Sequence, residues 1–173
     1  MVSEGSPQRA GLSDLALELA EKSAAFQSSL PESIAAALPD LVRSMNCYYS
    51  NLIEGHNTHP IDIERALEDD YSADPEKRDL QLEAKAHITV QKWIDDGGLE
   101  VSPTAPASII EMHCRFCELL PENLLWVAYL QTGARAQVVP AELRERYVEV
   151  GQHIAVSPGA APRFLDRIHA AAA

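Results

Sequence analysis

The sequence predicts an all-α protein with one small β-hairpin, and three observations predict it. Apolar residues recur at helical spacing from Leu12 to Leu120. Proline and glycine punctuate the ends of these periodic stretches. From Leu124 to Val150 the pattern turns extended and turn-rich.

Each element follows from its own residues. Met1 to Gly11 is polar and carries Gly, Ser and Pro, so residues 1–12 read as a loose terminus. Ser13 is placed to cap a helix in which Leu12, Leu15, Leu19 and Phe26 share a face. A short helical piece follows Pro31. The next helix starts near Pro39 and Asp40 and spans 40–54. Its residues Leu41, Val42, Met45, Tyr49, Leu52 and Ile53 hold one face, and Gly55 stops it. Pro60 opens a helix from Ile61 to Leu67. Asp74 and Pro75 form the cap and first position of a long helix with Leu80, Ala84, His87, Ile88, Gln91 and Ile94 on one side. Gly97-Gly98 ends it. Thr104 to Leu120 forms another. Beyond it, Ala136–Val139 and Tyr147–Val150 read as short strands with Thr132-Gly133 as the turn. A last helix opens at Pro162. The divisions are 1–12, a helical region 13–123, and 124–173.

Bulk properties narrow the partners. The chain has 173 residues and a formal net charge of -12, which disfavours nucleic acid and anionic membranes. Nine acids against Arg65, Lys77 and Arg78 lie between Asp62 and Glu83, and a solvated helix face accounts for them more simply than a docking surface for a basic partner. No apolar run is long enough to cross a bilayer, and Met1 to Leu12 lacks the form of a secretory signal. Three cysteines fit reduced thiols in a cytoplasmic protein.

One short run carries chemistry. Ser50-Asn51-Leu52-Ile53-Glu54-Gly55, with Tyr48-Tyr49 before it and His56-Asn57-Thr58 after it, resembles the inhibitory helix of the Fic family, Ser/Thr-x-x-x-Glu-Gly/Asn. Asp62-Ile63-Glu64-Arg65-Ala66-Leu67 continues the likeness. A second stretch resembles the Fic flap and the helix after it: Val138-Val139-Pro140, Leu143-Arg144, Val148-Glu149-Val150-Gly151-Gln152-His153 and Pro162-Arg163-Phe164-Leu165. Ala141 stands where related flaps often carry Gly. Ile154-Ala155 replaces the family's proline-rich continuation. The resemblance spans most of the chain from Met45 onward.

The resemblance implies the N-terminal portion of a Fic-like helical domain. Such proteins mostly transfer AMP from ATP to protein hydroxyls. It gives Ser50, Glu54 and Gly55 an inhibitory role. It gives Val138, Val139, Arg144, Val148 and Val150 a role in docking the target protein. Ser50 and Glu54 lie four apart and share a helix face. A carboxylate in the last turn of a helix gains most from a cation, ideally an arginine offering two parallel donors. In the family that arginine belongs to the catalytic motif and otherwise holds the ATP γ-phosphate.

The motif itself, His-Pro-Phe-x-Asp/Glu-Gly-Asn-Gly-Arg, is absent from these residues. No catalytic residue and no metal ligand is assigned, and this chain alone is expected to be inactive. ATP and Mg²⁺ are implied only for a full-length family member. The implied partners are a Fic core or a separate Fic enzyme, together with the parent enzyme's target protein. Exposed helical faces leave room for self-association. Two alternatives stand beside this: a regulator acting in trans as an antitoxin would, or a helical binding module, with or without zinc. Cys114-Arg115-Phe116-Cys117 and the His56/His59 pair invite the zinc reading. The cysteines fall inside a predicted helix, so buried thiols and loop capping are expected instead. His87, His113, Trp93 and Trp126 are expected in the core.

Overall fold

A computed structural model describes residues 5–128, 134–147, 149–150 and 153–172. The chain forms two compact units, residues 1–42 and 43–173. It is mostly helical with short antiparallel hairpins, as the periodicity predicts.

The first unit holds helix α1, Arg9–Ser29, and the start of α2, Glu32–Ile53. Helix α1 begins four residues before Ser13, which therefore lies inside it. Its start uses Gln8, whose N–H donates to the Ser6 hydroxyl at 3.3 Å. No residue of α1 is buried. Helix α2 fuses two predicted pieces into one. Pro39 lies within it and removes one backbone donor, but the alanines before it and the periodic run after it carry the helix through.

In the second unit, α2 continues from Arg43 and is followed by α3, Pro60–Leu67, α4, Pro75–Asp95, and α5, Pro106–Leu119. Each of α3, α4 and α5 opens on its proline, whose missing N–H would be unpaired there anyway. The Asp74 carboxylate caps α4 by accepting from the Glu76 N–H at 3.0 Å, as its position predicts.

Helix α4 is the centre. It packs on α3 and α5 and buries Gln81, Ala84, Ala86, Ile88 and Val90. The tightest apolar cluster joins Cys47, Ile63, Ala84 and Ile88, with Tyr48 against it. Helix α2 meets this core through Arg43, Cys47 and Asn51, spaced by four. Its apolar stripe, including Met45, Tyr49, Leu52 and Ile53, faces outward instead.

The extended region forms two hairpins. Strand β1, Trp126–Ala128, pairs antiparallel with β2, Arg135–Gln137, setting Trp126 opposite Gln137. Strand β3, Glu149–Val150, pairs with β4, His153–Ile154. The sequence predicts one hairpin; the two predicted strands instead pair with β1 and β4, which it did not mark, each a near neighbour in sequence, where loop closure costs least. The predicted turn at Thr132-Gly133 lies outside the described residues. Helix α6, Ala161–Ala172, closes the described chain and packs on α5.

Candidate functional site

Helix α2 ends in a defined backbone closure. The Glu54 N–H donates to the Ser50 carbonyl at 3.1 Å, the Gly55 N–H to Leu52 at 3.2 Å, and the His56 N–H to Asn51 at 2.8 Å. Gly55 has φ +82°, the left-handed conformation this closure demands. A side chain at Gly55 would meet no neighbour, so the requirement for glycine is conformational.

The closure sets Glu54 at the helix cap, fully outside the core. Ser50 and Glu54 are both exposed. Neither side chain makes a hydrogen bond or ion pair among the described residues. The carboxylate sits where the helix's own carbonyl ends are partly negative, which favours a cationic partner.

The helix end is nevertheless held in place. Asn51, 5 % exposed, donates through Nδ2 to the Thr58 hydroxyl at 3.2 Å. Cys47 Sγ lies 3.8 Å from the Ala84 carbonyl, and burial pushes its thiol up to about 11, with help from nearby Glu83. Arg43 pairs with Asp95 at 2.5 Å. His56 Nδ1 lies 3.5 Å from Glu83 on α4. His59 serves through its backbone: its carbonyl accepts from Asp62 and Ile63 at the start of α3.

The second cluster is a half-open cavity of about 700 Å³ beside the first hairpin. Ile109, Ile110 and His113 of α5, Trp126 and Val127 of β1, and the segment 135–146 line it. Among the predicted docking residues, Val138, Val139 and Arg144 all reach this cavity. Val148 and the side chain of Val150 lie outside the described residues. Arg144 braces the loop: it donates to the carbonyls of Arg146, at 3.0 Å, and Val156. Ala141 turns the loop with φ +64°, a conformation that favours glycine.

Several expectations shift. Trp126 is 39 % exposed and forms a cavity wall, where the sequence reading put it in the core. Trp93 is half-buried, with the Arg115 guanidinium 4.0 Å from its ring centroid. His113 also reaches the cavity and contacts Cys117 Sγ at 3.4 Å. His87 is half-buried, and burial lowers its pKa.

Cys114 and Cys117 lie within α5, both with thiol pKa values raised, chiefly by desolvation. Among the described residues no three His, Cys, Asp or Glu side chains converge as a metal site would need. The resemblance implies ATP and Mg²⁺ only for a full-length family member, and no step is routed through them.

Sequence reasoning passes over Asn51, Thr58 and Gln81, which fix α2 and the α3–α4 loop. Asn51 falls at helical spacing from Arg43 and Cys47, Thr58 lies in the loop before α3, and nothing in the sequence marks Gln81. It also passes over Arg135. The β1–β2 register puts Arg135 diagonal to Trp126, with its guanidinium 5.7 Å from the ring centroid.

No family model matches the chain, and no curated protein or solved structure matches it.

Proposed function

We propose that this chain is the autoinhibitory and target-docking portion of a Fic-family protein adenylyltransferase system. Glu54 is the inhibitory residue. It engages an arginine of a catalytic loop that these residues do not contain and so competes with the ATP γ-phosphate. The observation that carries the reading is the end of α2. Ser50, Glu54 and Gly55 stand in the family's spacing, with Gly55 in the left-handed turn and Glu54 exposed without a cation on an anchored helix. Two features support the docking half. Val138, Val139 and Arg144 share one cavity. Ala141 takes a left-handed backbone where the family's flaps often carry glycine.

The partner is a Fic core, joined to this chain or acting on it from a separate enzyme as a toxin on its antitoxin. The test combines the chain with a Fic catalytic segment and follows transfer of label from ATP labelled at the α-phosphate. The wild-type chain is expected to lower transfer, and Glu54→Gly to restore it by at least about tenfold. That corresponds to loss of one charge-assisted bidentate contact. Glu54 is exposed, so the variant keeps its fold, checked by circular dichroism. Equal transfer with wild-type and variant chains removes the inhibitory role. A helical binding module is the second reading, favoured by the outward apolar stripe of α2. It gains if neither chain alters transfer.

A further inference from the structure

We infer that the cavity between α5 and the first hairpin docks a protein segment presenting an apolar, preferably aromatic, side chain flanked by carboxylates. This deepens the docking half of the reading above and rests on it only for the idea that a protein docks there.

Three observations carry it. The first is size and lining. About 700 Å³ lies within the range of formed ligand sites, and the walls are largely apolar. Ile109 and Ile110 come from α5, Trp126 from β1, and Val138 and Leu143 from the loop that follows β2. Such a surface takes an aliphatic or aromatic side chain. Because the cavity is half-open, the group that fills it can stay attached to a chain running past the mouth.

The second is charge. The whole chain has a net charge of -12, yet residues 134–172 hold five arginines against four acids. The cavity is therefore bordered by the locally cationic part of an acidic protein. An acidic segment is repelled by the remainder of the molecule and tolerated here.

The third observation is the state of two of the three arginines that line the cavity, Arg135 and Arg144. Arg135 is exposed and stacks near Trp126, and Arg144 donates to two backbone carbonyls. Neither has a carboxylate partner among the described residues. A guanidinium satisfied only by a ring or by carbonyls keeps its full charge, and a carboxylate is the partner its fork of donors fits. Glu142 and Glu145 also line the cavity. They weaken its field without neutralising Arg135. Placing an aromatic group against Trp126 would bring a neighbouring carboxylate beside Arg135, since the two side chains lie on one face of the hairpin.

The test uses the whole chain and a dye-labelled, blocked peptide, Ala-Glu-Phe-Glu-Ala, followed by fluorescence anisotropy. The control peptide replaces both Glu by Gln. The acidic peptide is expected to bind about tenfold more tightly than the control. Arg135→Ala is expected to abolish that preference while leaving circular dichroism unchanged, because Arg135 is exposed. Equal binding of the two peptides overturns the inference. So does a preference that survives Arg135→Ala, or no binding by about 1 mM. Naphthalene-2-acetate is the small-molecule arm. If it binds with Arg135-dependence while the peptide does not, the occupant is a free acid and the protein-segment assignment falls. None of these results alters the Glu54 comparison, which reads nucleotide transfer.

Discussion

At the residue scale, Gln81 binds more backbone to the core than any other side chain among the described residues. It is fully buried on α4 and spends its amide on three main-chain groups. Its Nε2 donates to the carbonyls of Asp62 at 3.1 Å and Asp70 at 3.3 Å, and its Oε1 accepts from the Ser72 N–H at 2.7 Å. That amide turns the 68–74 loop, which includes Asp69 at φ +61°, onto the α3–α4 pair. Leucine at this site fills similar volume but takes the amide's bonds away from the Ser72 N–H and the Asp62 and Asp70 carbonyls. Gln81→Leu is expected to lower unfolding free energy by roughly 2–4 kcal/mol, read as a lower urea midpoint. An unchanged midpoint would mean that water replaces the amide. Nothing in the sequence distinguishes Gln81 from a solvated glutamine of a helix face. Its role exists only once the loop folds back over it.

At the scale of the element, α2 shows what periodicity can and cannot tell. The apolar stripe through Met45, Tyr49 and Leu52 identifies the helix correctly and misidentifies its buried side. The core takes the opposite stripe of Arg43, Cys47 and Asn51. Cys47 is small enough for close helix approach, and the two polar residues bring their own partners, Asp95 and Thr58. Helical spacing of apolar residues marks a sticky side; it does not say which neighbour arrives to cover it. Helix ends were more legible, because Asp74, Pro75, Pro60 and Gly55 act through local backbone chemistry alone. Pro39 misled for the converse reason, since tertiary and local helical context carried the chain past it. The stop of α4 adds a packing demand to a local one. A Cβ on Gly98 would lie 2.0 Å from Trp93 Nε1. Gly98→Ala must expel the indole from its place beneath Arg115, at a cost of about 1–3 kcal/mol. The near-ultraviolet circular dichroism of Trp93 should weaken in parallel. A variant with wild-type spectrum and stability would show that the α4 terminus relaxes freely.

On the scale of the whole molecule, a strongly acidic chain folds around a small core whose one buried arginine among the described residues, Arg43, is paired with Asp95. The hairpins were legible only in outline, because strands this short are set by the register they find, and the cavity beside them was not legible. The charge distribution was legible directly from the residues. Its consequence for folding lies in groups whose pKa differs between folded and unfolded states. His87 is the group that matters near neutrality. Burial lowers its pKa from the usual 6.5, so the folded protein keeps it neutral where the unfolded chain takes up a proton. Its Nε2 lies 2.8 Å from Gln91 Nε2, an arrangement that suits an unprotonated, accepting nitrogen. The unfolded state therefore binds more protons below the ordinary histidine range, and stability falls as pH falls through that window. The carboxylates of Asp69 and Asp70, held low by Lys85 with Tyr71 and by Arg65 respectively, act lower still. Their stabilisation is present above the ordinary aspartate range and is lost as acid protonates them in the folded state. Urea midpoints measured from slightly alkaline to mildly acidic pH should thus decline in the wild type before the aspartates titrate. His87→Gln should flatten that first decline and leave the second in place, because a neutral amide has no proton to gain. A first decline of equal size in the variant would assign it to another group and leave His87 as an ordinary packed side chain.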